Sequence, residues 1–159
     1  MKKFILTLIV VLISSSQLSE AKLGIGLILG EPRGVTIKSE MGSNDLILNV
    51  GNSGFGQLRI DGLYTFDFPN AFNSNQFELY MAVGAAIGIG DGDDIFGGEG
   101  KGRFDRDGDF GIAALGAIGV NFYPAKDWEV FLQLGPIISL VPDIGAGFDG
   151  GLGFRYFIN

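Results

Sequence analysis

The residues best suited to chemistry by type and spacing are seven carboxylates in one short stretch. They are Asp91, Asp93, Asp94, Glu99, Asp105, Asp107 and Asp109. The last three have the one-three-five spacing of a calcium-binding loop, but Phe110 replaces the glycine of position six and Gly116 replaces the glutamate of position twelve. We therefore expect no EF-hand and assign no metal site. Two interpretations stay open, a loop that binds a hard cation weakly and a solvated loop of mutually repelling charges, and we favour the second.

Other classes of chemistry are excluded by composition. The 159 residues include no cysteine and no histidine, and the formal net charge is −7. These absences exclude a disulfide framework, thiolate or histidine zinc sites, a cysteine nucleophile and the commonest general base. The acidic balance argues against nucleic acid as a partner. A hydrolytic pair of Asp61 and Glu78, expected as neighbours on adjacent strands, is the remaining enzymatic alternative, and we predict no catalytic activity and no cofactor.

The N-terminal residues 1–21 have the pattern of a cleaved signal peptide. Lys2 and Lys3 precede an apolar run at 4–13, and residues 19–21 place small side chains where a signal peptidase cleaves. A run of this length is too short for a membrane-spanning helix, which needs roughly twenty apolar residues. The sequence therefore predicts an exported protein, with a single mature domain at 22–159.

Alternation of apolar with small or polar residues dominates the mature chain. Such a period of two predicts β-strands with one apolar face. The eight predicted strands cover residues 23–30, 34–41, 44–50, 57–68, 77–90, 109–122, 128–135 and 148–158. Glycine, proline and asparagine mark predicted turns at 31–34, 42–44, 51–56, 69–75 and 124–127. We therefore expect an all-β fold, an antiparallel up-and-down barrel of eight strands.

The composition of the two strand faces discriminates between a soluble and a membrane barrel. The face opposite the large apolar residues is mostly glycine and alanine. It also carries isolated charges, namely Arg59, Asp61, Glu78, Glu129 and Arg155. A water-facing surface would be much richer in charge. Small residues with a few opposite charges suit a crowded interior where the charges form an ion-pair network. We therefore expect the apolar face to contact lipid, with a soluble lipocalin-like barrel in the periplasm as an alternative.

Aromatic residues and loop lengths favour the same orientation. The aromatic residues near predicted strand ends, as in an interfacial girdle, are Phe66, Phe68, Phe77, Phe110, Phe122, Trp128 and Tyr156. The longest connection, loop 91–108, follows the fifth strand and would face outward if both termini face the periplasm. Outer-membrane barrels have long connections outside and short ones in the periplasm, and the tight turn after the first strand is an exception to this rule.

The segments 24–38, 119–124 and 151–157 resemble a family of small uncharacterised bacterial outer-membrane β-barrels. The opening segment runs from Gly24-Ile25-Gly26 through Leu29-Gly30-Glu31-Pro32-Arg33-Gly34 to Lys38. The resemblance implies a transmembrane barrel of the size of the OmpA membrane domain or OmpX, and it implies no known activity.

These observations predict a small barrel of the bacterial outer membrane with a structural or surface-interaction role. The expected partners are outer-membrane lipid and lipopolysaccharide, the barrel assembly machinery, and an extracellular partner at loop 91–108. A second interpretation is the binding or passage of a small apolar ligand through a narrow or laterally open barrel. Pro136 and Pro142 would create the opening by leaving ladder positions without hydrogen bonds.

Overall fold

The described part of the chain forms an all-β barrel. The computed structural model describes residues 22–42, 44–90, 110–142 and 144–158. Its strands are β1 (Leu23–Gly30), β2 (Arg33–Glu40), β3 (Asp45–Ser53), β4 (Gly56–Phe68), β5 (Phe77–Ile89), β6 (Phe110–Ala125), β7 (Trp128–Val141) and β8 (Gly145–Ile158). The predicted signal peptide and loop 91–108 lie outside the described residues.

Within the described residues, no helix is long and apolar enough to cross a membrane.

The eight strands form one closed antiparallel barrel in sequence order, which confirms the predicted strand count and topology. The pairing of Ile25 can be followed around the barrel through Ile37, Leu48, Gly62, Ala85, Ala114 and Ile138 to Ala146. Ile25 itself pairs with Tyr156, ten positions away from Ala146. A stagger of ten residues over eight strands corresponds to a strand tilt of about 40°. Each residue therefore rises about 2.5 Å along the barrel axis.

Several strands extend beyond their predicted bounds. The turn predicted at 51–56 was too long, because β3 continues to Ser53 and β4 begins at Gly56. The turn predicted at 124–127 was also too long, since β6 continues to Ala125. Strand β7 extends to Val141 and β8 begins at Gly145. Backbone hydrogen bonds to a neighbouring strand favour extended structure even at glycine and proline, whose local preference is for turns.

The two ends of the barrel differ in their connections. The termini end holds the start of β1, the end of β8 and the connections β2–β3, β4–β5 and β6–β7. The loop end holds the other four connections. There the β3–β4 turn folds inward and buries Phe55 at 2% exposure against the apolar interior. The Gly54 amide donates to Glu31 Oε2 at 2.9 Å, which fixes this turn to the β1–β2 connection.

Candidate functional site in the barrel interior

A buried ion-pair network lies inside the barrel near the termini end. Glu129 accepts from Lys38 Nζ at 2.7 Å through one oxygen and from Arg155 through the other. Lys38 Nζ is also 2.9 Å from Asp45 Oδ2. Thr36 Oγ1 accepts from Arg155 Nε at 3.0 Å and from Nη2 at 2.9 Å. The network joins β2, β3, β7 and β8, so these contacts stabilise the closed barrel.

The same network is enclosed by aromatic and amide side chains. The Arg155 guanidinium lies 3.8 Å from the ring centroid of Phe131, a cation–π contact. Tyr80 donates its hydroxyl hydrogen to Gln133 Oε1 of β7 at 3.1 Å, and its ring lies over Gly119, its cross-strand partner on β6. A Cβ at Gly119 would lie 2.3 Å from Tyr80 Cζ. The glycine of β6 therefore provides the space that the tyrosine occupies.

A second, smaller network lies nearer the loop end. Arg59 Nε donates to Asp61 Oδ1 at 2.6 Å, and Arg59 Nη2 donates to Asp61 Oδ2 at 3.1 Å. The same Nη2 is 2.7 Å from Asp149 Oδ2 on β8. A cavity of about 20 Å³ adjoins these three residues. Such a volume accommodates about one water molecule and no apolar ligand.

Apolar side chains separate the two networks. Ile47 lies between Asp45 and Asn49 on the inner face of β3, and Leu63 lies between Asp61 and Thr65 on that of β4. Ile47 and Leu63 are buried and belong to one cluster with Tyr80, Ala82 and Leu115. This apolar layer lies between the two groups of charges, and Gln133, which accepts from Tyr80, lines the cavity next to Arg59. At this level the described side chains fill the lumen, as expected for eight strands.

Three carboxylates meet at the termini end of the lumen. Oxygens of Asp45, Asp67 and Glu78 lie within 4.8 Å of one another, beside a cavity of about 300 Å³ that Glu40 and Tyr123 also line. Among the described residues, this is the group whose spacing could hold a metal ion. Lys38 already contributes a positive charge to it through Asp45.

The five charges assigned to the interior by sequence are all on the inner side of the wall, in separate groups. Arg59 and Asp61 belong to the network near the loop end, whereas Glu129 and Arg155 belong to the one near the termini end. Glu78 also lies near the termini end, where its Oε1 accepts from Asn121 Nδ2 at 3.3 Å. The expectation that Asp61 neighbours Glu78 was wrong. Asp61 pairs with Ala86, and Glu78 lies eight positions before Ala86 in β5, toward the termini end.

Sequence reasoning omitted three charged members of these networks, Lys38, Asp45 and Asp149. Lys38 alternates with Val35 and Ile37 on β2, so its inward direction was readable from the pattern. Asp45 lies at the start of a predicted strand, where a polar residue is as easily explained by the preceding turn as by an inward direction. The pairing partners could not be read at all, because Lys38 and Glu129 are 91 residues apart.

Two other predictions concern the loop and the wall. All seven carboxylates of the acidic stretch, Asp91 through Asp109, lie outside the described residues. Pro136 lies inside β7, between the β6–β7 pairs Leu115–Ile137 and Ile118–Leu134. Pro142 follows the end of β7. Gly116 and Gly135 lie in close contact across this seam, since a Cβ at Gly135 would be 1.9 Å from the Gly116 oxygen.

No protein-family profile, curated protein or solved structure matches the chain.

Proposed function

We propose that the protein is a transmembrane β-barrel of the bacterial outer membrane, with a side-chain-filled lumen and a structural or surface-interaction role. The observation that carries this proposal is the distribution of side chains between the two faces. Lys38, Arg59, Glu129 and Arg155 are at most 1% exposed inside the barrel. Large apolar side chains cover the outside, and Leu29, Val83 and Leu152 are more than half exposed.

An outer surface of this kind is suited to lipid rather than to water. Exposed apolar residues occur on every strand of the barrel, from Leu23 of β1 to Ile158 of β8. Soluble monomers rarely expose contiguous apolar patches larger than a few hundred Å². A closed barrel also leaves no strand edge, which is the condition for crossing a bilayer with strands.

The aromatic residues support a defined orientation in the membrane. Phe68, Phe77, Phe122, Trp128 and Tyr156 are on the outer face at the termini end. Phe77 stacks on Phe122 with centroids 4.8 Å apart, and Trp128 meets Tyr156 at 5.3 Å. Aromatic residues concentrate at membrane–water interfaces. Of the predicted girdle, Phe110 alone begins its strand at the loop end. We place the termini end in the periplasm.

The proposed role follows from what this barrel offers to its surroundings. The interior charges bind one another, and the small cavity near Arg59 accommodates about one water molecule. The surfaces left for interaction are the outer wall, the cavity of about 300 Å³ at the termini end and the external connections, of which loop 91–108 is the longest. Partners of these surfaces would be outer-membrane lipid and lipopolysaccharide, the barrel assembly machinery during insertion, and an extracellular partner at the loop.

Gel mobility tests the membrane proposal. The outer-membrane fraction of cells that express the full chain is solubilised in detergent and run unboiled and boiled. We expect the protein in that fraction, with a mobility change on boiling, because a closed barrel resists detergent until it is heated. Recovery in the soluble periplasmic fraction, with no change on boiling, would refute the proposal and favour a soluble barrel.

A further inference from the structure

The outer apolar face is much shorter on one side of the barrel than on the other. On β1 it extends from Leu23 to Leu29, six positions. On β2 the outward apolar residues Ile37 and Val35 are bounded by Ser39 below and Arg33 above, and these two polar bounds are six positions apart. Six positions rise about 15 Å along the axis.

The apolar face on β5 and β7 is about twice as tall. Outward residues of β5 extend from Phe77 to Ile89, and those of β7 from Trp128 to Leu140, twelve positions in each case. Twelve positions rise about 30 Å, compared with an apolar band of about 25 Å in barrels of this kind. The tall side thus exceeds an ordinary band, and the β1–β2 side falls short of it.

Arg33 marks the level at which the membrane–water interface crosses the β1–β2 side of the barrel. Its side chain is exposed at the loop end of β2, on the same face as Val35. An arginine facing lipid is costly near the bilayer centre and tolerated at the interface. At the termini end, the aromatic residues of β4 to β8 hold the tall side at the periplasmic interface. The difference between the height of the short apolar face and the thickness of the bilayer core is therefore concentrated at the loop end of β1 and β2.

We propose that the barrel thins the bilayer locally, drawing the outer lipid headgroups down to Arg33 along the β1–β2 face. This inference rests on the proposed membrane location. The occupant of the short face is lipid of the outer leaflet, whose headgroup lies about 10 Å deeper than in the surrounding leaflet. This depth is the difference between the normal apolar band and the short face. A bilayer adapts to a short apolar segment in this way at modest cost per ångström.

Tryptophan depth measurements on the two sides test the inference. Leu29 pairs with Leu152, which pairs with Leu132. Because the stagger displaces each strand by a little over one residue, Leu134 has nearly the same axial height as Leu29. Leu29→Trp and Leu134→Trp are made separately with Trp128→Phe, so that each protein has one tryptophan, and are folded into vesicles of phosphatidylcholine brominated at shallow or deep positions.

We expect the shallow bromines to quench the Leu29→Trp protein best and the deep bromines to quench the Leu134→Trp protein best. Adding Arg33→Leu, which lengthens the short apolar face, should shift quenching of the Leu29→Trp protein toward the deep bromines. Equal depth profiles at the two positions would overturn the thinning inference while leaving the membrane location intact. Absence of quenching at both positions by either lipid, in a folded barrel, would instead refute the membrane location.

Discussion

Replacement of Val83 by arginine tests the outer face at the position where the structure predicts the largest effect. Val83 is the fourth of seven outward positions on β5, midway between Phe77 and Ile89. Its side chain is 55% exposed and its cross-strand partners are Tyr64 and Gly116. Each end of the apolar column is therefore about 15 Å away, further than an extended arginine side chain can reach.

The expected cost follows from this depth. An arginine on the lipid face at the midplane destabilises a barrel by about 2–4 kcal/mol, and near the interface by about 0–1 kcal/mol. We expect the full midplane cost for Val83→Arg. The matched control is Ile89→Arg, which changes an outward residue at the end of the same strand and should cost about 1 kcal/mol or less.

The assay is reversible urea unfolding of the two variants and the wild-type protein in lipid vesicles, which reports the free energy of unfolding. On a water-exposed face, a surface substitution of this type changes stability by only about 0.5 kcal/mol at any position. If the free energy of unfolding of Val83→Arg differs from the wild-type value by no more than about 0.5 kcal/mol, and equals that of Ile89→Arg, the assignment of β5 to lipid is refuted.

Two further predictions concern the interior and the loop. Glu129→Gln should destabilise the barrel by about 3 kcal/mol in the same unfolding assay, because Lys38 and Arg155 lose their shared buried anion while Lys38 keeps Asp45. Adding Arg155→Met should restore part of that loss, because Glu129 is the carboxylate that Arg155 contacts, whereas Lys38 still has Asp45. Equal stability of Glu129→Gln and wild type would contradict the role of the network. Replacing loop 91–108 by a short turn should leave the heat-dependent gel shift unchanged and abolish binding of cell-surface partners in a pull-down. Binding that persists without the loop would assign the contact to the barrel wall.

The order and number of strands were readable from the sequence because side-chain direction in a strand alternates strictly. Leu58, Ile60 and Tyr64 alternate with Arg59, Asp61 and Thr65, and the structure separates these two sets to opposite faces. Strand ends were less readable. Gly51 resembles a turn residue locally, but it pairs with Gly34 of β2 and Arg59 of β4 and so stays in the ladder. Pro124 also lies inside β6, in the irregular stretch between Phe122 and Ala125 where the register to β7 shifts.

Side-chain partners across the lumen depended on the closure of the barrel. Alternation predicts that Glu129 and Arg155 point inward, but it contains no information on which strands face each other through the interior. The β7–β8 register places Glu129 opposite Arg155, and closure of β8 onto β1 brings Lys38 of β2 to the same carboxylate. The same register separates Asp61 from Glu78, although both lie on the adjacent strands β4 and β5.

The sequence by itself determined the all-β class, the eight strands and the two contrasting faces, because a period of two is a local property of the chain. The tertiary structure alone decided the stagger of ten residues, the grouping of charges into two networks and the unequal height of the apolar face. These features depend on register and closure, which are set by hydrogen bonds between residues far apart in the chain.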